Sequence, residues 1–198
     1  MRMVKRVLIS VYDKSGLEEL VSALKEYDVE IISSGGTARK IKEMGYPQLE
    51  DVATYTDHPE SPGGLLKTLH PRIHGGFLLD RETPEHRIYL EKHGIIPFDM
   101  LVSNLYPFEK VTATGADPLK AAENIDIGGP TMTRSAAKSA LLYGKVAVVT
   151  NPSQYKEVMK SLKENNGEIP VKMIKKLAVS AFKRTAEYDK AIVTYLEK

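Results

Sequence analysis

The segment Ser33-Ser34-Gly35-Gly36-Thr37 places two serines, two glycines and a threonine where a short apolar run ends and a helical pattern begins. Backbone N–H groups at a helix start lack partners and the helix dipole is positive there, so such a segment receives an anion. Gly35 and Gly36 let the backbone approach a phosphate closely, and the hydroxyls of Ser34 and Thr37 complete a cradle. A helix cap alone would need one Ser or Thr; the five residues together favour the phosphate. No Gly-Lys-Ser/Thr follows, so this is not a Walker loop and ATP hydrolysis is unsupported. Lys14, in Ser10-Val11-Tyr12-Asp13-Lys14, can add a point charge. Taken alone, it reads first as a solvated lysine ahead of a helix.

Two further segments carry groups suited to proton transfer. Lys67-Thr68-Leu69-His70-Pro71 follows a Gly63-Gly64 break and presents a lysine that is either a positioned catalytic cation or a surface lysine before a helix stop. His70 and His74 are four apart, but Pro71 intervenes and no glutamate stands in a zincin position, so they read as structural rather than metal-binding. Asn124-Ile125-Asp126-Ile127-Gly128-Gly129-Pro130 puts a carboxylate just ahead of a helix. It is either a cap or an acid/base group beside backbone N–H donors that stabilise an oxyanion. Arg134 and Lys138, four apart on that helix, share a face and alone read as solvated. A polar Asn104-Leu105-Tyr106 ends another apolar run.

The elements that must position these groups follow from periodicity. Lys5–Val11, Val29–Ile32, Met100–Leu105 and Lys145–Thr150 read as strands. Leu17, Leu20, Val21 and Leu24 recur at helical spacing behind Ser15, with Glu18 three residues on as in a capping box. Ala38–Met44, Pro84–His93, Asp117–Glu123, Gly128–Leu142, Pro152–Glu164 and Val171–Tyr195 read as helices, with Pro130 in a first turn. In the last helix Ile174, Leu177, Ala178, Ala181, Phe182 and Thr185 form one stripe, suited to an interface or to packing on its own sheet. Residues 50–80 look irregular, broken by prolines and by the pairs Gly63-Gly64 and Gly75-Gly76. Strands alternating with helices predict a mainly parallel sheet, and ligands then bind beyond the strands' carboxyl ends.

Composition narrows the class. The chain has 198 residues, 28 Lys and Arg against 26 Asp and Glu, and no cysteine. A net charge of +2 and the absence of a long basic run exclude a polyanion-binding footprint, so no nucleic-acid partner is expected. No apolar stretch approaches membrane-spanning length, and Val7–Val11 is too short for a signal-peptide core. A cytoplasmic location is expected.

With these residues in view, the chain resembles the IMP cyclohydrolase domain at the N-terminus of the bifunctional AICAR transformylase/IMP cyclohydrolase family. The likeness runs from Arg6 to Ile192 and is carried by VYDKSG, SSGGTA, KTLHP, NLYPF and NIDIGGPT at this spacing. It implies a methylglyoxal-synthase-like three-layer α/β/α fold with a mainly parallel sheet, as a single domain over 1–198 with no transformylase domain. It also implies dehydrative closure of 5-formamidoimidazole-4-carboxamide ribotide to inosine monophosphate, with no cofactor and no metal. By family pattern, Ser10, Lys14, Ser34, Gly35, Gly36 and Thr37 fall on the phosphate side. Thr68, Asn104, Ile127 and Gly128 line the base, and Lys67, Tyr106, Asp126 and Lys138 are catalytic. A homodimer is implied, as is a separate formyltransferase supplying the substrate. One departure stands out: Leu65 occupies a position where the family usually has arginine. A triose-phosphate lyase of the same fold and a phospho-ligand-binding regulatory module share the phosphate loop but do not require KTLHP and NIDIGGPT.

Overall fold

The computed structural model describes residues 2–113, 115 and 117–197. Its centre is a five-stranded, wholly parallel sheet. In chain order the first elements are β1 (Arg2–Met3), β2 (Arg6–Val11), α1 (Leu17–Lys25), β3 (Glu30–Ser33), α2 (Gly35–Glu43), β4 (Leu49–Asp51) and α3 (Val52–Thr56). A 3-10 turn at Pro62–Gly64 precedes α4 (Pro71–Leu78), α5 (Pro84–Lys92) and β5 (Met100–Asn104). There follow α6 (Phe108–Ala113), α7 (Pro118–Glu123), α8 (Gly128–Tyr143), β6 (Ala147–Val149), α9 (Tyr155–Glu164), β7 (Glu168–Ile169) and α10 (Val171–Leu196). The sheet order is β4-β3-β2-β5-β6. Helices flank both faces, making three layers.

The strands form here because they are short, β-branched and apolar on both faces, as a parallel sheet covered by helices requires. Val7, Leu8 and Ile9 of β2 are fully buried, as are Leu101 and Val102 of β5. Chain direction reverses its march across the sheet between β2 and β5, whose register pairs Ser10 with Ser103 and Val11 with Asn104. A crevice opens beyond the carboxyl ends of strands at such a switch point.

Several sequence expectations change. The capping box at α1 does not form. Gly16 takes a left-handed conformation at φ 68° ahead of Leu17, and Ser15 turns back to Asp13, whose Oδ1 accepts both its N–H and its hydroxyl. A carboxylate two residues away outcompetes the helix end for Ser15. The glycine-rich helix α2 begins at Gly35 rather than at Ala38. Gly75 and Gly76 lie inside α4 instead of breaking the chain: a Cβ at Gly76 would sit 2.8 Å from the Phe98 ring, so the pair lets the helix lie close on its neighbours. Strands β1 and β7, which pair antiparallel, and helices α3 and α6 are too short to show a period, while α4 carries the proline and glycine pair that read as breaks. The stripe of α10 serves its own core: Ile174, Leu177, Ala178, Ala181 and Thr185 are buried, and α10 packs on α8 and β6.

Candidate active site

A cleft of about 400 Å³ opens at the switch point. Its walls come from the loops after β2, β3 and β5, from residues 63–68, and from the start of α8. Ser10, Lys14, Ser34, Gly36, Thr37, Lys67, Thr68, Asn104, Tyr106, Asp126, Ile127 and Gly128 all line it.

At one end lies the N-terminus of α2. Ser34 is extended at φ −142° and makes no side-chain cap bond, which leaves the first N–H groups of α2 facing the cleft end. Lys14 folds over them; its ammonium hydrogen-bonds the Val11 and Tyr12 carbonyls at 3.3 Å and stands 3.9 Å from where a Gly36 Cβ would be. Arg39 approaches the same point at 3.8 Å. Two cations and a helix dipole thus converge on one exposed glycine, an arrangement for a dianionic phosphate.

Two residues expected to touch ligand have their polar atoms engaged elsewhere. The Thr37 hydroxyl donates to the Val11 carbonyl at 3.0 Å and accepts the Val11 N–H at 3.2 Å. The Asn104 amide oxygen accepts the Tyr12 and Asp13 N–H groups at 2.8 Å, and its nitrogen donates to the Asp13 carbonyl. Both side chains pin the β2 loop rather than reach outward. That loop carries Tyr12, whose ring tilts against Tyr106 at 5.3 Å between centroids. The two exposed rings form one side of the cleft mouth, and Leu65, 76% exposed, stands among its linings.

The opposite end carries the proton-transfer groups. Asp126 Oδ1 accepts the Gly129 N–H at 2.9 Å, and Oδ2 accepts the Tyr106 N–H at 3.3 Å. Burial pushes this carboxyl above its ordinary pKa, against those two N–H bonds. Its loop is held from below: Asp126 N–H donates to the hydroxyl of Tyr188, fully buried on α10, at 2.9 Å, and that hydroxyl bonds the Asn124 carbonyl at 3.4 Å. A Cβ at Gly129 would fall 2.5 Å from Asp126 Oδ2, and one at Gly128 2.6 Å from Thr68 Oγ1. The Gly128-Gly129 pair is therefore required for close approach.

Lys67 brings its ammonium to the starting turn of α2, 2.8 Å from Glu60 Oε1. His70 accepts the Arg72 N–H on Nδ1 at 3.1 Å and so caps α4. His74 Nδ1 meets Ser135 Oγ at 3.0 Å. Burial is the main cause lowering both imidazole pKa values. Two expected site residues fall outside the lining. Gly35 forms no wall but lies against the Lys67 ammonium. Lys138 is on the exposed face of α8, some ten residues and about 15 Å along the helix from the glycines that touch the cleft. Its neighbour Arg134 lies 5.7 Å over the Phe182 ring. Glu60, Tyr188 and Tyr12 belong to the site's machinery but were not among the expected residues. Tyr188 and Tyr12 meet partners distant in sequence, and Glu60 meets Lys67 only because the chain turns between them, none of which local pattern reveals.

Comparison with known proteins agrees with this geometry. Residues 16–131 match the MGS-like domain model and residues 136–198 the AICARFT/IMPCHase bienzyme model. The bifunctional purine biosynthesis protein PurH of Mesorhizobium japonicum is 49% identical over 96% of this chain and 34% of that protein. That of Xanthomonas campestris is 50% identical over 98% of this chain and 36% of that one. The chain thus spans about a third of the length of these relatives. The crystal structure of ForH superposes with a TM-score of 0.82 at 28% identity, covering 98% of this chain and 99% of that chain. The chain belongs to the MGS-like domain family and carries, over residues 136–198, the region matched by the AICARFT/IMPCHase model.

Proposed function

We propose that the chain is an IMP cyclohydrolase, closing 5-formamidoimidazole-4-carboxamide ribotide to inosine monophosphate. One observation carries the reading: a phosphate cradle at the start of α2, the Lys67 ammonium beside it, and a phenol and a buried carboxyl at the other end share one cleft. The ribotide phosphate occupies the Lys14 and Gly36 end and the imidazole carboxamide lies toward Tyr106 and Asp126, with Lys67 spanning the two: its ammonium reaches the start of α2 and its neighbour Thr68 meets Gly128.

The chemistry needs no redox step. The carboxamide nitrogen attacks the formyl carbon, a C–N bond forms, and the formyl oxygen becomes an oxyanion. Lys67 stabilises that oxyanion and protonates it. The carbinol hydroxyl then takes a second proton, from the Asp126 carboxyl that received the amide proton, and leaves as water, while the former formamido nitrogen gives its proton to the Lys67 amine, which restores both groups. Asp126, whose carboxylate is made a stronger base by burial, receives the amide proton, and Tyr106 passes protons at the cleft mouth. Lys138 has no step within one chain.

The test is conversion of the formylated ribotide to inosine monophosphate, followed by absorbance. Turnover that falls roughly 100- to 1,000-fold in Lys67→Ala, the range for losing one oxyanion donor, supports the reading. Tight nucleotide binding without turnover would point to a binding module instead, and phosphate release from a triose phosphate to a lyase.

A further inference from the structure

Lys67 stands in a slot. A Cβ at Gly64 would lie 2.8 Å from Lys67 Cε and 3.0 Å from Glu60 Oε1, and a Cβ at Gly35 would lie 2.9 Å from Lys67 Nζ. Both glycines are left-handed, at φ +68° and +56°, so a side chain at either would be strained as well as in collision. Glu60 closes the far end of the slot with its 2.8 Å ion pair. It does not line the main cleft. Instead it lines a small adjoining cavity of about 60 Å³, and Lys67 and Ser34 are walls of both spaces. Substrate therefore meets Lys67 from one side and Glu60 holds it from the other.

A lysine has a flexible four-carbon stem, and fixing it loses side-chain entropy. Two glycine walls and a counter-charge fix it before substrate arrives, so less ordering remains for the reaction itself. We propose that Glu60 is a positioning residue for Lys67, and that Gly35 and Gly64 are the walls that make its hold effective. This rests on the cyclohydrolase reading. Glu60 and Lys67 side chains are 49% and 31% exposed, and a pair this open contributes little to stability. Its effect belongs in the rate and not in the melting temperature.

Glu60→Gln keeps the shape and removes the charge. It is expected to lower kcat roughly 10- to 100-fold, the effect of misplacing a reacting group by about 1 Å, with KM changed less than about threefold and melting temperature within about 2 °C. Glu60→Asp, which keeps the charge, is expected to recover part of the loss. A second measurement reads the slot directly. Lys67→Ala is expected to regain turnover when ethylamine is added, because the free ammonium enters the vacated slot. With Glu60→Gln also present, half-maximal rescue is expected to need roughly tenfold more amine or more. Wild-type kcat in Glu60→Gln, or equal rescue with either residue at position 60, would overturn the proposal while leaving the cyclohydrolase reading intact. An inactive wild-type chain would overturn both.

Discussion

The two ends of the cleft are held in different ways. At the phosphate end every support comes from regular structure a few residues or one strand away. Thr37 bonds Val11, Asn104 bonds the β2 loop across the register that pairs Val11 with Asn104, and the Ser33 hydroxyl donates to the Ile9 carbonyl at 2.7 Å. The reacting groups are held instead by individual side-chain contacts. Asp126 leans on Tyr188, 62 residues on, and Lys67 on a slot built from Gly35, Glu60 and Gly64. Binding geometry here is a by-product of sheet register, whereas the reacting groups depend on single contacts that the fold does not otherwise need. Substitutions at the two ends should therefore separate in KM and kcat.

Between Lys14 and Tyr188, the larger expected effect is at the phosphate end. Lys14→Ala removes a charge-assisted contact, worth roughly 1.5–3 kcal/mol to a charged partner. KM for the ribotide is expected to rise at least about tenfold, with kcat retained. Steady-state kinetics check this, and a fall in kcat instead would place Lys14 in the chemistry and erase the distinction between the ends. A smaller effect is expected at the other end. Tyr188→Phe keeps the buried ring against Phe108, 6.2 Å away, and deletes the hydroxyl that accepts the Asp126 N–H and donates to the Asn124 carbonyl. An unsatisfied buried N–H costs about 1–3 kcal/mol, so the melting temperature should fall by several degrees. The loosened loop should lower kcat about three- to tenfold with KM little changed. An unchanged kcat beside a lowered melting temperature would make Tyr188 a folding residue alone.

The same division explains what was readable from the sequence. β2, β3 and β5 announce themselves as apolar runs, and Ser33–Thr37 sits at a strand-to-helix junction, so the phosphate end follows from periodicity and dipole. The residue types of Lys67, Tyr106 and Asp126 flag chemistry, but their shared cleft came from the family resemblance and not from spacing. Glu60, in an irregular proline-rich segment, gives no local signal because its partner is fixed only when Gly63 and Gly64 turn the chain back. Tyr188 reads as one more buried position of α10. Lys138, which spacing alone reads as solvated and only the resemblance makes catalytic, lies exposed on α8 away from the cleft, because a helix runs away from its own N-terminus. Thr37 and Asn104 were placed at the cleft, yet their side chains face the loop they hold, a choice that hydrogen-bond geometry makes and composition does not.

The smallest expected effect concerns Asp126 and stability. Its carboxyl titrates above its unfolded value because burial disfavours the charge more than the Gly129 and Tyr106 N–H groups favour it. A carboxyl with a raised folded pKa binds its proton more tightly in the fold. Its stabilising contribution is fully present below the unfolded value, near 3.9, and is lost as pH rises through the folded one. At neutral pH the ionised group is thus a burden, tolerated because an ionised base is needed there. Asp126→Asn removes the burden and the base together. Turnover should be lost at every pH, while the melting temperature relative to wild type should be higher at pH 7 than at pH 4. A variant less stable at pH 7 than at pH 4, again relative to wild type, would mean that the two N–H bonds outweigh burial. Asp126 would then stabilise its loop as a carboxylate, and the reacting end would be supported from inside the cleft as well as from Tyr188 below.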